Sequence, residues 1–203
     1  MKNKTNSCLD NFFVSINAHS QINFKGNSVS DDYDVFIKVN LKDRDNNRII
    51  GGLTIGVVHN NNGRRSFNNT MDYIDGFNGS LYNCLEAVRY DEDDFAISNK
   101  ELHEAVIDYI NDGHDILYVD EVYVAPKFRK KGLAKAMLSK IHLIIDAATG
   151  CFGGIVLLAA RPQEILDTES SEFDENEKIL FNLYEKSGFT RIQDNVFIRL
   201  LNY

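Results

Sequence analysis

The chain reads Val122-Tyr-Val-Ala-Pro-Lys-Phe-Arg-Lys-Lys-Gly-Leu-Ala-Lys-Ala-Met137 where three structural signals follow one another. A β-branched and aromatic run ends at Pro126, a basic turn containing Gly132 follows, and an apolar pattern with helical spacing begins at Leu133. The first N–H groups of a helix have no acceptor within the helix, and the helix dipole there attracts negative charge. Together with the neighbouring cations, these N–H groups predict a cradle for a phosphorylated ligand.

A solvated run of surface charge at the end of a strand would produce the same pattern. Taken alone, the turn favours this plainer interpretation. It is neither a Walker A loop nor a dinucleotide-binding fingerprint, because it lacks both G-x-x-x-x-G-K-[ST] and G-x-G-x-x-G. The choice between an anion site and a charged surface therefore depends on the rest of the chain.

Length and composition predict one soluble globular domain over residues 1–203. The chain is 43% hydrophobic and 26% charged, and its formal net charge is −8. Sequence-independent nucleic-acid binding needs a basic surface, so the net charge argues against it. No apolar run has the length of a membrane span. We therefore expect neither a nucleic acid nor a membrane as partner.

The three cysteines, Cys8, Cys84 and Cys151, form no C-x-x-C pair. They predict neither a disulfide framework nor a zinc site, and the scattered histidines add no metal-binding spacing. Reduced cysteines and the lack of a signal-like N-terminus predict a cytoplasmic protein. The lack of metal-binding spacing predicts that it holds no metal. A cysteine nucleophile stays open in principle, although small buried thiols are the more common state.

Hydrophobic periodicity predicts about seven strands with helices between them, in the α/β (α+β) class with a mixed sheet. Between the third and fourth strands, residues 59–115 form a helix-rich insertion with far more acidic than basic residues. The strands are expected at 11–18, 35–41, 49–58, 116–124, 154–160, 189–192 and 196–201, and helices at 81–88, 102–110, 133–150 and 175–187.

Two segments resemble the GNAT N-acetyltransferase superfamily. Val124-Ala-Pro-Lys-Phe-Arg-Lys-Lys-Gly-Leu-Ala134 resembles its V-x-P-x-x-[RQ]-x-x-G-x-[GA] signature, and Leu183-Tyr-Glu-Lys-Ser-Gly-Phe189 resembles its L-Y-x-x-x-G-F signature. A predicted strand lies between them, as in that superfamily. The resemblance implies a mostly antiparallel sheet that splays between its fourth and fifth strands and has helices on both faces.

The chain departs from the family pattern at two places. The helices that usually follow the first strand are not predicted, because the segment before the second strand is short and polar. Many members also carry, seven residues before the tyrosine, an asparagine that helps to hold the pantetheine arm. Here that position is Glu177.

The resemblance implies acetyl-CoA as the co-substrate. The backbone of Val122, Tyr123 and Val124 would pair with the pantetheine arm, and an N–H near Val124 would stabilise the oxyanion. The turn and helix start would bind the pyrophosphate, with Gly132 allowing close approach of the backbone. The residues of this turn and helix start are Arg129, Lys130, Lys131, Gly132, Leu133 and Ala134.

The resemblance also implies two catalytic groups. Glu121 would take the proton of the acceptor amine, directly or through water, whereas strand alternation is expected to turn Asp120 to the other face. Tyr184 would protonate the leaving thiolate. The plainer interpretations are a surface carboxylate for Glu121 and a half-buried core tyrosine for Tyr184.

The reaction implied is acetyl transfer by direct attack of a primary amine, on a small molecule or a peptide. The acidic insertion suggests a cationic acceptor, although a solvated helix face explains the acids equally well. A homodimer is compatible with the sequence. The alternatives are a non-catalytic acyl-CoA sensor or interaction module, and an acetylase of aminoacyl-tRNA, which the negative net charge disfavours.

Overall fold

The computed structural model of the protein describes residues 11–21, 34–60, 66–75, 79–89, 100–150, 154–161 and 170–201. The strands are β1 (Phe12–Gln21), β2 (Asp34–Asp43), β3 (Ile49–Val58), β4 (Ile116–Val124), β5 (Gly154–Ala159), β6 (Thr190–Gln193) and β7 (Val196–Leu201). The helices are α1 (Phe67–Asp75), α2 (Gly79–Val88), α3 (Lys100–Asn111), α4 (Leu133–Ser139), α5 (Ile141–Thr149) and α6 (Ser171–Glu185).

The described strands form one mixed sheet in the order β1-β2-β3-β4-β5-β7-β6. Within it, β4 and β5 are parallel, and every other neighbouring pair is antiparallel. The predicted class, a mostly antiparallel sheet of about seven strands, is therefore confirmed.

Helices cover both faces of the sheet, as predicted. Strand β5 shows the division, because Val156 and Leu158 pack into one hydrophobic cluster while Ile155 and Leu157 pack into the other. The first cluster, which we call the α4–α6 core, contains the apolar sides of α4, α5 and α6. The second, the α1–α3 core, contains those of the three helices between β3 and β4.

The three helices α1–α3 form the helical layer on one face of the sheet, whereas the family resemblance implied helices after the first strand. They lie against the half of the sheet that contains β4, β5, β6 and β7, with α2 packing on β5 and β6 and α3 on β5. The layer is thus present, but it comes from a different connection in the chain.

The single helix predicted over 133–150 is wrong, because the structure breaks it at Lys140. The Nη1 atom of Arg199 on β7 donates to the carbonyl oxygens of Leu138 (3.2 Å) and Ser139 (3.3 Å), which turns these carbonyls toward the sheet. The Lys140 N–H bonds to Met137 O instead, at 3.2 Å. The apolar stripe continues across the break, so the periodicity did not reveal it.

Two other boundaries differ from the prediction. Helix α1 was not predicted, because its Asn- and Asp-rich sequence resembles a loop. Helix α6 begins at Ser171 rather than at 175. The Ser170 hydroxyl caps it by accepting the N–H of Phe173 at 3.2 Å, inside what was predicted as a polar loop.

The predicted helix end at Gly188 is confirmed as a Schellman motif. The Gly188 N–H bonds to Glu185 O at 3.0 Å, and the Phe189 N–H bonds to Tyr184 O at 3.1 Å. Gly188 has a φ of 90°, in the left-handed region that favours glycine. The Phe189 ring meets the Tyr184 ring edge to face, 6.4 Å between centroids, so the motif also fixes the tyrosine.

Several predicted features lie wholly or partly outside the described residues. The sequence predicts a turn at 26–34, a loop at 60–65 and a capping box that begins at Ser98, and it contains an acidic run at 91–94. Within the described ranges, no helix is both long enough and apolar enough to span a bilayer.

We expect Arg199→Met to lower the free energy of unfolding by about 2 kcal/mol, because charge-assisted hydrogen bonds to three carbonyls are lost. Besides Leu138 and Ser139, the Arg199 Nη1 binds Ser187 O at 3.1 Å and so joins the ends of α4 and α6. Urea unfolding of the variant measures the loss. Arg48→Met, at an exposed turn position, is the control, and an equal loss there would contradict the assignment.

We expect His59 to make stability pH-dependent. A hydrogen bond to Asp115 (2.9 Å) is the main cause that raises the pKa of His59 above 6.5, with partial desolvation opposing it. Since the folded state binds the proton more tightly, the stabilisation is complete below pH 6.5 and is lost as the pH rises through the folded pKa. His59→Gln should therefore cost more at acidic than at alkaline pH, by about 1 kcal/mol. Asp115→Asn should flatten the same dependence in urea titrations.

Candidate active site

A β-bulge in β4 opens the site. Val119 pairs with Ile55 and Glu121 pairs with Thr54, so Asp120 is the extra residue on β4. A bulge increases the local twist and bends its strand. The bend falls at the point where β4 separates from β5.

Beyond the bulge, β4 has one strand neighbour instead of two. Its pairing with β5 ends at Val119 and Leu158, whereas its pairing with β3 continues to Val124. Among the described residues, the other edge of β4 therefore has no strand partner over residues 120–124. This is the splay between the fourth and fifth strands that the family resemblance implied.

Backbone groups of Val122 and Val124 face this open edge. The Ala125 N–H bonds to Ile50 O on β3 at 2.8 Å, and alternate residues of a strand turn their N–H and C=O to opposite edges. Val124 and Val122 therefore direct theirs away from β3. The Val124 carbonyl accepts the Arg129 Nε–H at 2.9 Å, which binds the basic turn to the end of the strand.

An aromatic platform supports the basic turn. The Phe128 ring packs edge to face on Phe12 of β1, with centroids 6.2 Å apart. The ammonium groups of Lys127 and Lys131 lie 5.0 and 5.1 Å from the Phe128 ring centroid. Cation–π attraction thus holds two exposed lysines at the turn. Phe128, inside the basic run, is the sequence signal for this platform, but the platform was not predicted from it.

The turn gathers backbone N–H groups. Lys130 has a φ of 61° and Gly132 a φ of 76°, both in the left-handed region. Alternation of extended or right-handed residues with left-handed ones makes an anion-binding concavity of N–H groups. Gly132 is the N-cap of α4 and provides no side chain to satisfy the first N–H groups of that helix. A Cβ added at Gly132 would meet no atom within 4 Å, so space lies above it.

Glu121 lies on β4 at the bulge, with its side chain exposed. Thr54, directly across on β3, is its paired neighbour. Strand alternation no longer separates Glu121 from Asp120, because the bulge interrupts it, and both side chains are exposed. That Glu121 rather than Asp120 acts as the base therefore stays a prediction.

Tyr184 lies on α6, in the α4–α6 core and 5% exposed. Its ring contacts Phe197 at 5.5 Å between centroids as well as Phe189. Burial raises its pKa to about 12, so the phenol stays protonated throughout the neutral range. No described residue forms a hydrogen bond with its hydroxyl.

The structure brings these groups together in part. The open edge of β4 leads directly into the turn with Arg129, Lys130 and Gly132, and α4 packs against α6, which carries Tyr184. Glu121 lies on the sheet face opposite the α4–α6 core. Arg199 was not predicted to have a role, because it connects α4 to α6 across a sequence separation that leaves no local signal.

The other nucleophile and metal candidates are weak. The Cys84 thiol is buried in α2, and burial raises its pKa to about 11, which keeps it protonated at neutral pH. Cys8 and Cys151 lie outside the described residues. In the part of the chain that the structure describes, no group of three or more His, Cys, Asp or Glu side chains could hold a metal ion.

Residues 88–191 match the model of the acetyltransferase (GNAT) domain. No curated protein sequence matches the chain. Similar solved structures include Arabidopsis thaliana NAA60 in complex with acetyl-CoA, with a TM-score of 0.42, 14% identity, and 81% of this chain and 76% of that chain covered. The putative arylalkylamine N-acetyltransferase 7 of the yellow fever mosquito has a TM-score of 0.37 and 12% identity, with 81% of this chain and 64% of that chain covered.

Proposed function

Because the chain belongs to the GNAT acetyltransferase family, we propose that it moves an acetyl group from acetyl-CoA to a primary amine by direct attack. One observation supports the proposal most strongly: the unpaired edge of β4 runs into the left-handed turn at Lys130 and Gly132. An extended arm with a pyrophosphate at its end has the shape and charge that this edge and turn require.

Acetyl-CoA would lie with its pantetheine arm along β4 and its pyrophosphate at the turn. The N–H and C=O of Val122 would pair with the amides of the arm, while Arg129 retains the Val124 carbonyl and the Val124 N–H stays available to the thioester. The N–H groups from Lys130 to Ala134 would bind the pyrophosphate, and Lys131 would add charge from above Phe128. The proposal requires no metal.

The reaction would begin with loss of a proton from the acceptor. An alkylamine of pKa about 10.4 is neutral in about one molecule in 2500 at pH 7, so a base is needed. Glu121 would take this proton, directly or through a water. The neutral nitrogen then attacks the thioester carbonyl, forming a C–N bond and an oxyanion that the Val124 N–H stabilises. The nitrogen of this intermediate carries a positive charge and loses its second proton to water, so that the product is a neutral amide.

Collapse of the oxyanion breaks the C–S bond and releases CoA. Tyr184 would donate its proton toward the departing sulfur. A phenol of pKa about 12 is a weaker acid than a thiol of about 8.5. Its main contribution is therefore a hydrogen bond to the developing thiolate.

A non-catalytic acyl-CoA sensor is the second candidate, and the exposed position of the carboxylate at Glu121 beside the open edge of β4 disfavours it. The two candidates differ in turnover. We expect steady thiol release from acetyl-CoA with members of a panel of primary amines, and mass spectrometry should find an acetyl group on the amine. Tight acetyl-CoA binding without thiol release from any amine would support the sensor.

Gly132→Ala should raise the KM for acetyl-CoA about tenfold, because a methyl group would occupy the approach of the pyrophosphate to the backbone. It should also cost about 1 kcal/mol of stability, because alanine disfavours a left-handed φ. Initial rates against acetyl-CoA concentration measure the first effect.

Gly150→Ala is the matched control. Gly150 has a φ of 69° and, like Gly132, no atom within 4 Å of an added Cβ, but it ends α5 rather than opening α4. It should show the same loss of stability with an unchanged KM. Equal KM values for acetyl-CoA in the two variants would show that the turn does not bind the cofactor.

A further inference from the structure

The sheet face that carries Glu121 changes character at the bulge. Before the bulge, Ile116 and Tyr118 of β4 are buried in the α1–α3 core. In the two rows that follow it, the residues of the same face across β1–β4 are polar, glycine or tyrosine, and none is fully buried: Ser15, Asn17, Lys38, Asn40, Gly52, Thr54, Glu121 and Tyr123. One half of this face is thus covered core, and the other is an open polar surface.

Four of these residues form a row that ends at Glu121. Asn17 pairs with Lys38, Lys38 with Thr54, and Thr54 with Glu121. Directly paired residues of antiparallel strands place their side chains on the same face. Asn17, Lys38 and Glu121 are exposed and Thr54 is half-buried, so the row is accessible along its length.

The neighbouring row contains a glycine. Ser15 pairs with Asn40, Asn40 with Gly52, and Gly52 with Tyr123. A Cβ at Gly52 would collide with the Val39 carbonyl oxygen, which makes glycine necessary. Gly52 therefore presents no side chain between Asn40 and Tyr123, beside the path from Lys38 to Glu121.

Lys38 and Glu121, which lie in the first row, carry opposite charges. Lys38 is two strands from Glu121, so their Cα atoms are separated by about 10 Å. Within the described residues, Lys38 has no carboxylate at ion-pair distance. Its flexible four-carbon stem can move the ammonium toward a ligand on the row. A molecule with its amine at Glu121 would therefore present its far end to Lys38.

We propose that the acceptor is an amine that carries an anionic group, a carboxylate or a phosphate, which Lys38 binds while the amine lies at Glu121. This inference rests on the proposed acetyl transfer, because that reaction places the amine at Glu121. The acidic residues Asp72, Glu86 and Asp108 do not oppose it. They are exposed on helices that cover the other half of this sheet face.

Matched acceptors of one chain length test the proposal: hexylamine, hexamethylenediamine, ε-aminocaproate and aminohexyl phosphate. We expect kcat/KM for at least one of the two anionic amines to exceed that for hexylamine about fivefold, the size of an exposed ion pair. Lys38→Met should remove this preference. Lys42→Met, on the same strand and face four residues along, should retain it.

The outcomes separate the inference from the proposed function. Turnover of all four amines at equal efficiency, or equal losses in Lys38→Met and Lys42→Met, overturns the inference but leaves the function standing. Calorimetric titration of the wild type and Lys38→Met with ε-aminocaproate and aminohexyl phosphate, with and without CoA, gives a readout without turnover. Lys38-dependent binding without thiol release would contradict the proposed acetyl transfer and support only the binding of an anionic amine by Lys38. A preference for one anion identifies its source as carboxylate or phosphate.

Discussion

Tyr184→Phe should lower kcat for acetyl transfer about 100-fold, because no donor remains for the departing thiolate. The KM for acetyl-CoA should change little, since the proposed pantetheine and pyrophosphate contacts come from β4 and the turn. The wild-type rate should not fall at alkaline pH below about 11, because burial raises the pKa of Tyr184 to about 12. Thiol release across this pH range measures both expectations.

Protein stability separates this effect from damage to the core. The ring stays between Phe189 and Phe197, and no described residue bonds to the hydroxyl, so the free energy of unfolding should change by less than about 1 kcal/mol. Tyr82→Phe, which removes a hydroxyl from α2, is the control with unchanged kcat. A Tyr184→Phe enzyme with wild-type kcat would leave Tyr184 as a core residue only.

Glu121→Gln should lower kcat/KM about 100-fold near pH 7 and much less near pH 10. At neutral pH the acceptor needs a base, whereas near its own pKa of about 10.4 the amine loses the proton without help. The ratio of wild-type to variant kcat/KM should therefore shrink steadily as pH rises. Stopped-time assays with a fixed amine across that range give the ratio.

Asp120→Asn is the matched control, since it neutralises the adjacent carboxylate in the same bulge. It should keep kcat/KM within about threefold of wild type, the effect of an exposed charge nearby. A loss confined to Asp120→Asn would show that the bulge gives the role of base to Asp120. Equal large losses in both variants would indicate that the two carboxylates act through a shared water.

Local chemistry explains what the sequence predicted well. The Gly188 helix end, the basic turn after Pro126 and the apolar run of β5 depend on residues close together in the chain. The positions of the strands along the chain were also predictable, because each strand has a hydrophobic pattern bounded by turn residues. The two segments that resemble GNAT signatures then indicated the family to which these strands, turns and helices belong.

Contacts between distant residues explain what the sequence did not predict. The break at Lys140 depends on Arg199, and the bulge at Asp120 depends on its register with Thr54 and Ile55. Neither has a signal within its own segment. The polar row from Asn17 to Glu121 likewise exists only after four strands are aligned, although each of its residues is an ordinary strand position.

The two hydrophobic cores have a consequence for cooperativity. Helices α1, α2 and α3 are contiguous in the chain and pack into one core, while α4, α5 and α6 pack into the other. Segments of this kind commonly open as separate units with their own free energies. We expect amide protons of α1–α3 to exchange as one group and those of α4–α6 as another. Opening of the first group would then leave residues 129–134 intact, so the proposed site for acetyl-CoA would outlast the loss of the helical layer on the opposite face.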